Sequence, residues 1–189
     1  MEVILTLNFE LTESQRDIKK AAREFAEKEF KPEYGRECDQ EYKWPEDLHK
    51  KAAKLGFIGI HFPEEYGGQG LGLLETCLVW EEFASVDSTL AHILWASEGA
   101  DIIVRYGSEE QKQKYIPKIC RGEAISTLAL TEPAHGSDVG SMGLDTKAVK
   151  EGDYWMINGA KVFISMGNIA DVLVVGCLTN PNAKPPYRG

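Results

Sequence analysis

Positive charge is scarce in this 189-residue chain: 21 lysines and arginines stand against 30 aspartates and glutamates, and the formal net charge is −9. No run of basic residues is longer than a pair, as at Lys19-Lys20 and Lys50-Lys51. Binding to nucleic-acid phosphates depends on clustered cations. The composition therefore excludes nucleic acid as a partner.

Long apolar runs are also missing. The richest apolar segment, residues 172–178, has the length of a strand, well short of the ~18 residues that a membrane span needs. The first seven residues have an acidic second position and too short an apolar run for a secretory signal. The sequence therefore predicts a soluble, cytoplasmic protein with no membrane insertion.

Cysteine is sparse and unpaired in its spacing. The four cysteines are Cys38, Cys77, Cys120 and Cys177. Metal sites and disulfide frameworks usually show closely spaced cysteine pairs. We therefore expect four free thiols in a reducing compartment and no bound metal.

The 43% hydrophobic and 27% charged residues are typical of a folded protein of one or two domains. The first 122 residues show helical periodicity, with capping boxes at Thr12–Gln15 and Ser108–Gln111. Helices are predicted to begin after Thr12, at Pro45, near residue 73, at Asp87 or Ser88, and after Ser108. The fourth is expected to run unbroken to Gly107, and the fifth to end near Gly122.

After Gly122 the pattern changes to strands, predicted at 125–130, 146–149, 154–157, 160–165 and 171–178. Turns are expected at 151–153 and at Asn158-Gly159. The predicted fold class is α+β and multi-domain: an all-α helical domain over 1–123, then a partial antiparallel β-barrel or sandwich domain over 124–189. Residues 179–189 resemble a loop before a further strand, so we expect a truncated chain.

Three segments carry the functional signal: PEEYGGQG at 63–70, LTEPAHGSD at 130–138 and NGAKVFIS at 158–165. Each alone is consistent with a turn or a hairpin. In this order, on a helix-then-strand background, they resemble the N-terminal half of the flavin-dependent acyl-CoA dehydrogenases over about residues 11–179. Further matching segments are GSEEQK at 107–112 and YIPK at 115–118.

The resemblance implies a bound FAD. In the family, the segment matching 128–137 runs along the flavin, and the Thr131 hydroxyl binds its pyrimidine end. The aromatic ring matching Phe163 packs on the flavin, and the hydroxyl matching Ser165 donates toward the nitrogen that receives hydride. Gly136 would let backbone N–H groups approach the ligand. The implied cofactor-binding residues are Leu128, Leu130, Thr131, Gly136, Ser137, Phe163, Ile164 and Ser165.

The implied reaction removes an α-proton and a β-hydride from an acyl-CoA, as in the degradation of fatty or other carboxylic acids. In the family the base is usually a glutamate in a C-terminal helical domain. The resemblance implies that this domain is absent from the given chain, so no catalytic residue is assigned here. The implied partners are the acyl-CoA substrate, an electron-transfer flavoprotein as electron acceptor, and three further copies of a full-length chain in a homotetramer. In a eukaryote the expected location is the mitochondrial matrix.

The helix predicted over 88–106 matches the one that lines the acyl pocket, so the implied substrate-binding residues are Leu94, Trp95 and, from the loop, Ser137. Polar groups there favour a substituted, cyclic or carboxylated acyl chain. In the family, glutaryl-type members place an arginine early in this helix. The first arginine here is Arg105, near its end, which argues against a dicarboxylic substrate. His92, Glu98 and Asp101 either lie near the acyl pocket or belong to a solvated or interhelical face of this helix.

Three positions depart from the family pattern. His135 replaces a small residue, and it either faces solvent or contacts the substrate thioester or the pyrophosphate. Met166 stands where asparagine is common, so the local turn is expected to differ. Phe163 replaces a frequent tryptophan and offers less stacking area.

Two other functions remain open. The composition is equally consistent with a non-catalytic scaffold or with a split-enzyme partner that needs a separate C-terminal half. The retained flavin-facing positions Thr131, Gly136, Ser137 and Ser165 argue against the scaffold. An acyl-CoA oxidase would share the same cofactor site and pass its electrons to oxygen.

Overall fold

The computed structural model describes residues 9–138, 145–185 and 188–189. It divides into two compact units, Met1–Leu94 and Trp95–Gly189. The helices of the described residues are α1 (Glu13–Glu29), α2 (Pro32–Glu41), α3 (Glu46–Lys54), α4 (Leu73–Val86), α5 (Ser88–Ala91), α6 (Glu98–Tyr106) and α7 (Glu109–Cys120). Short 3-10 segments cover Glu64–Tyr66 and His92–Ala96. Among these residues, none of the helices combines the length and apolarity that crossing a bilayer demands.

Both predicted capping boxes are confirmed. At the start of α1, the Thr12 hydroxyl accepts from the Gln15 N–H at 3.2 Å, and the Gln15 side chain accepts from the Thr12 N–H at 2.9 Å. Ser108 and Gln111 form the same pair at the start of α7, with the same two distances. These contacts satisfy N–H groups that a helix start leaves without an intrahelical partner.

The core of the first unit is aromatic. Phe25 of α1 and Phe83 of α4 each contact the other and the buried Phe30 and Phe57, with ring centroids 5.2 to 5.9 Å apart. All four rings are buried. Such clusters contribute both apolar burial and favourable edge-to-face contacts, and this one fastens α1 to α4.

The predicted single helix from Asp87 to Gly107 is wrong. The Asp87 side chain caps the N–H of Leu90 at 2.9 Å as expected, but α5 ends at Ala91, a 3-10 segment follows, and α6 begins at Glu98. Ser97 leaves helical geometry and forms a parallel bridge with Ser126. This tertiary contact overrides the local helical pattern. Sequence reasoning also missed α2, whose signal was Pro32 at its first position.

The strands of the described residues are β1 (Ser126–Ala129), β2 (Lys147–Glu151), β3 (Tyr154–Asn158) and β4 (Val172–Val175). β2 and β3 form the expected antiparallel hairpin, from Lys147↔Asn158 to Glu151↔Tyr154, and Gly152 has a φ of 60° at its turn. β1 pairs with β4 in parallel, from Ser126↔Val172 to Ala129↔Val175. The α+β class with a partial β domain is confirmed, although one of these two pairings is parallel where the prediction was antiparallel.

The predicted strand over 160–165 and its Asn158-Gly159 hairpin are wrong. The chain leaves β3 at Asn158 and then turns without forming a ladder. Gly159 lies so close to Thr146 that no Cβ would fit there, and Phe163 and Met166 both adopt a positive φ. A run with the left-handed Phe163 inside it and the left-handed Met166 directly after it cannot hold the pleat of a strand.

The second unit contains α6 and α7 together with the strands, because α6 packs on β1 and β4 as well as on α7. A domain boundary between residues 123 and 124 stays a prediction. The packing of α6 on β1 matters for the site, since β1 leads directly into the segment around Thr131.

Candidate functional site

Two chain segments, residues 127–132 and 161–165, are joined by hydrogen bonds. The Val162 N–H donates to the Thr131 carbonyl at 3.0 Å, and the Thr127 hydroxyl donates to the Ser165 carbonyl at 2.7 Å. Thr127 is fully buried and Ser165 is exposed, so the second bond links a core residue to a surface residue. The structure therefore brings together six of the eight residues predicted to bind a flavin: Leu128, Leu130, Thr131, Phe163, Ile164 and Ser165.

A buried ion pair joins the same two segments. The Lys161 ammonium lies 2.7 Å from the Glu132 Oε1 and also donates to the Leu130 carbonyl at 2.9 Å. The Lys161 side chain is 10% exposed and that of Glu132 is 0% exposed. The Glu132 carboxylate also accepts from the backbone N–H groups of Thr146, at 3.0 Å, and Asp145, at 3.2 Å. Every charge in this group thus has a partner, which is the condition for keeping charges inside a protein.

Burial alone would raise the pKa of the Glu132 carboxyl. Hydrogen bonds from Lys161 and Thr146 outweigh it and lower that pKa to about 2. Glu132 is therefore ionised throughout the physiological range. Sequence reasoning missed this pair, although the signal was present: Glu132 and Lys161 are charged residues inside two of the three motif segments.

Phe163 presents its ring to solvent from a strained backbone. The side chain is 93% exposed, and its φ of 57° lies in the left-handed region. For a residue other than glycine this conformation costs roughly 1–2 kcal/mol. An aromatic ring held outside the core at such a cost points to a ligand-facing platform. Beside it, Ile164 is half-buried and Ser165 is exposed.

The loop after Glu132 is open to solvent. Gly136 and Ser137 are both exposed, and a Cβ added to Gly136 would meet no atom within 4 Å. The structure does not bring them into contact with the Phe163 segment through any described hydrogen bond. Residues 139–144, which follow, lie outside the described residues.

Glu98 of α6 reaches the predicted site through Leu128. The half-buried Glu98 carboxylate accepts a hydrogen bond from the Leu128 backbone N–H. Burial raises the pKa of the Glu98 carboxyl, the bond from Leu128 opposes that shift, and the nearby Asp101 adds to it. Glu98 is therefore half-buried beside β1, and the choice between a pocket and a solvated or interhelical face stays a prediction.

The predicted acyl-pocket residues fall in different surroundings. Leu94 is buried within the first unit, and Trp95 is 40% exposed in the second. Their role in binding an acyl chain stays a prediction.

His135 faces an acidic side chain. Its Nε2 lies 3.4 Å from an Asp145 carboxylate oxygen, while its backbone pairs with that of Glu132 at 3.0 and 3.1 Å. Glu132, His135 and Asp145 bring ligand atoms within 4.8 Å of one another, a spacing that a metal ion could use. The Lys161 ammonium already occupies the cation position against Glu132, so the chemistry of this group is that of an ion pair.

Two known protein domains match this chain. Residues 12–123 match the N-terminal domain of acyl-CoA dehydrogenases, and residues 127–189 match the middle domain. The chain belongs to the acyl-CoA dehydrogenase family. The resemblance predicted from the three motif segments is thereby confirmed.

Relatives in this family are similar over nearly the whole chain. The mitochondrial isobutyryl-CoA dehydrogenase of Dictyostelium discoideum is 41% identical over 176 residues, which are 93% of this chain and 42% of the relative. The crystal structure of an acyl-CoA dehydrogenase from Geobacillus kaustophilus is 38% identical, with a TM-score of 0.84 over 97% of this chain and 48% of that one. A glutaryl-CoA dehydrogenase from Mycobacterium smegmatis, solved in complex with FADH2, is 34% identical. Its TM-score is 0.81, and the match covers 90% of this chain and 44% of that one. The chain thus spans a little under half the length of the family members it matches.

The residues present in this acyl-CoA dehydrogenase chain fit a flavin. An isoalloxazine ring needs an apolar face to lie on and polar groups along its edge. Phe163 offers an exposed ring, and Ser165 and Ser137 have exposed side chains. The open space at Gly136 leaves room for a ligand against the backbone.

Proposed function

We propose that this chain forms part of an FAD-dependent enzyme that converts an acyl-CoA to the 2,3-enoyl-CoA. The observation that carries this proposal is the solvent-facing ring of Phe163, held on a left-handed backbone that is bonded to the segment around Thr131. Membership of the acyl-CoA dehydrogenase family supports it. FAD, when bound, supplies the acceptor for the β-hydride.

The chain's own residues would bind and orient the two ligands. Phe163 would supply an apolar face for the cofactor, and the Thr131 and Ser165 hydroxyls would donate hydrogen bonds to its polar edge. The backbone around Leu130 and the loop at Gly136 would approach the ligand closely because no bulky side chain intervenes at Gly136. Ser137 would contact both cofactor and substrate.

For the substrate we propose a short, branched or otherwise substituted acyl-CoA. The bulky, half-exposed Trp95 supports this, as does the likeness to an isobutyryl-CoA dehydrogenase. Removal of the α-proton is assigned to no residue of this chain. An electron-transfer flavoprotein as acceptor, a homotetrameric assembly of the full-length chain, and a location in the cytoplasm or the mitochondrial matrix belong to the same proposal.

Flavin binding tests the proposal directly. The purified chain is incubated with FAD, separated from free flavin by size exclusion and examined by absorbance spectroscopy. We expect retained flavin with a resolved, shifted visible band, and weaker retention in Phe163→Ala. A folded chain that retains no FAD would contradict the proposal and favour the scaffold or split-partner function.

A further inference from the structure

We infer that Lys161 and Glu132 are positioning residues: their buried ion pair holds the Phe163–Ser165 segment in its ligand-ready place beside β1. The inference rests on the proposed function for the identity of the ligand. The placement of the segment itself is a property of the unliganded chain and can be measured without a cofactor.

Lys161 belongs to one of the two segments, and its side chain binds the other. It lies two residues before Phe163, and its ammonium contacts the Glu132 carboxylate and the Leu130 carbonyl, on either side of Thr131. Two acceptors at 2.7 and 2.9 Å restrict the ammonium to one position. Charge-assisted hydrogen bonds of this kind are stronger than bonds between neutral groups.

Glu132 is a rigid anchor for that ammonium. Besides Lys161, it accepts from the backbone N–H groups of Thr146 and Asp145, so its carboxylate cannot rotate freely. Its own backbone is paired in both directions with that of His135. The position of Glu132 is therefore fixed by contacts other than the one to Lys161.

The Phe163 segment needs such a tether because no sheet holds it. Residues 160–165 form no ladder, and Phe163 and Met166 both adopt left-handed conformations that the chain would otherwise leave. Besides the ion pair, the described ties across the two segments are the bond from Val162 to Thr131 and the bond from Thr127 to Ser165. Removing the Lys161 ammonium should loosen the first of these, because Val162 is the next residue along the chain.

Hydrogen exchange at the Val162 amide measures that placement. We compare the wild type with Lys161→Met and Glu132→Gln by NMR at one pH, with the Val172 amide as internal reference, since its bond to the Ile125 carbonyl lies outside the ion pair. In both variants the acceleration of exchange at Val162 is expected to exceed the acceleration at Val172 by at least about tenfold. The double variant should exchange Val162 no faster than the faster single variant, because the two side chains act as a unit.

The matched control is Lys150→Met, which removes an exposed lysine of β2 in the same unit. It should leave Val162 exchange unchanged. Equal acceleration of Val162 and Val172 would show a general loss of stability and overturn the inference. Unchanged Val162 exchange in Lys161→Met would overturn it as well.

FAD titration separates this inference from the proposed function. If the pair positions the flavin-facing segment, FAD affinity should fall by about tenfold in Lys161→Met and stay unchanged in Lys150→Met. A wild-type chain that binds no FAD would refute the proposed function, while the exchange at Val162 would still decide whether the pair positions the segment. Full FAD affinity in Lys161→Met would overturn the positioning role and leave the proposed function standing.

Discussion

Gly99 lies directly against the backbone of Thr127. A Cβ added to Gly99 would come 2.5 Å from the Thr127 carbonyl oxygen and 3.0 Å from its nitrogen. Real Cβ atoms do not approach backbone so closely, so α6 and β1 can pack at this distance only with glycine at this position. The same close approach lets Glu98 reach the N–H of Leu128.

Replacing Gly99 with alanine should therefore destabilise the chain. The added methyl group must push α6 away from β1, and overpacking of this kind costs about 1–3 kcal/mol. Urea unfolding followed by circular dichroism measures the change. Gly136→Ala is the matched control, because a Cβ there meets open space. Equal stability of the two variants would show that α6 and β1 separate without cost.

The two phenylalanines Phe83 and Phe163 should respond in opposite ways. Phe83 is fully buried in the aromatic cluster of the first unit, so Phe83→Ala should cost about 3–5 kcal/mol of unfolding free energy. Phe163 is almost wholly exposed, so Phe163→Ala should cost less than about 0.5 kcal/mol. FAD affinity should nevertheless fall about tenfold in Phe163→Ala, and it should rise in Phe163→Trp. Urea unfolding and FAD titration provide the two measurements. A large loss of stability in Phe163→Ala would contradict the assignment of this ring to a ligand.

The Glu132–Lys161 pair should give a strongly non-additive double-mutant cycle. Glu132→Gln leaves the Lys161 ammonium buried without its counter-charge, which costs about 3–5 kcal/mol. In the double variant Glu132→Gln/Lys161→Met no charge is left unpaired, so its loss of stability should be smaller than the sum of the single losses. Urea unfolding at pH 7 measures all four corners of the cycle.

Acid should weaken the contribution of the same pair. The pKa of Glu132 is lower in the folded chain than its ordinary value of 4.5. Its stabilising contribution is therefore complete above pH 4.5 and is lost as the pH falls toward about 2. The difference in unfolding free energy between the wild type and Glu132→Gln should be smaller at pH 3 than at pH 5. An equal difference at the two pH values would show that Glu132 does not change its ionisation in this pH range.

His49 should make the first unit sensitive to mild acid. Burial lowers the pKa of this imidazole from 6.5 to about 4, so the folded chain holds it neutral while the unfolded chain protonates it. The contribution of the neutral His49 to the unfolding free energy is therefore complete above pH 6.5, and it is lost as the pH drops toward 4. This one residue should remove about 2 kcal/mol between pH 7 and pH 5.

The test for His49 compares the slope of the unfolding free energy with pH in the wild type and in His49→Gln. The variant should lose that part of the slope. His92→Gln is the control, because the His92 side chain is exposed. A wild-type slope retained in His49→Gln would assign the pH dependence to other groups.

Features set by neighbouring residues were predictable from the sequence. The capping boxes at Thr12 and Ser108 and the hairpin turn at Gly152 depend on contacts over a few residues, and all three are present in the structure. The family, too, could be identified from short segments. The grouping of Thr131 with Phe163 and Ser165 followed from that resemblance rather than from any local pattern.

Features set by distant residues were not predictable in this way. The Asn158-Gly159 pair favours a hairpin locally, but the contact of Gly159 with Thr146 and the tether of Lys161 to Glu132 direct the chain elsewhere. Similarly, the bridge of Ser97 to Ser126 interrupts a run that is helical by periodicity alone. In both places a long-range contact defeats the local propensity.

The parallel pairing of β1 with β4 forms late during synthesis of the chain. Ser126 pairs with Val172, so β1 leaves the ribosome before its partner has been made. At about 5–20 residues per second, the wait lasts several seconds, far longer than a helix needs to form. The first unit can therefore fold while β1 still has unpaired edges.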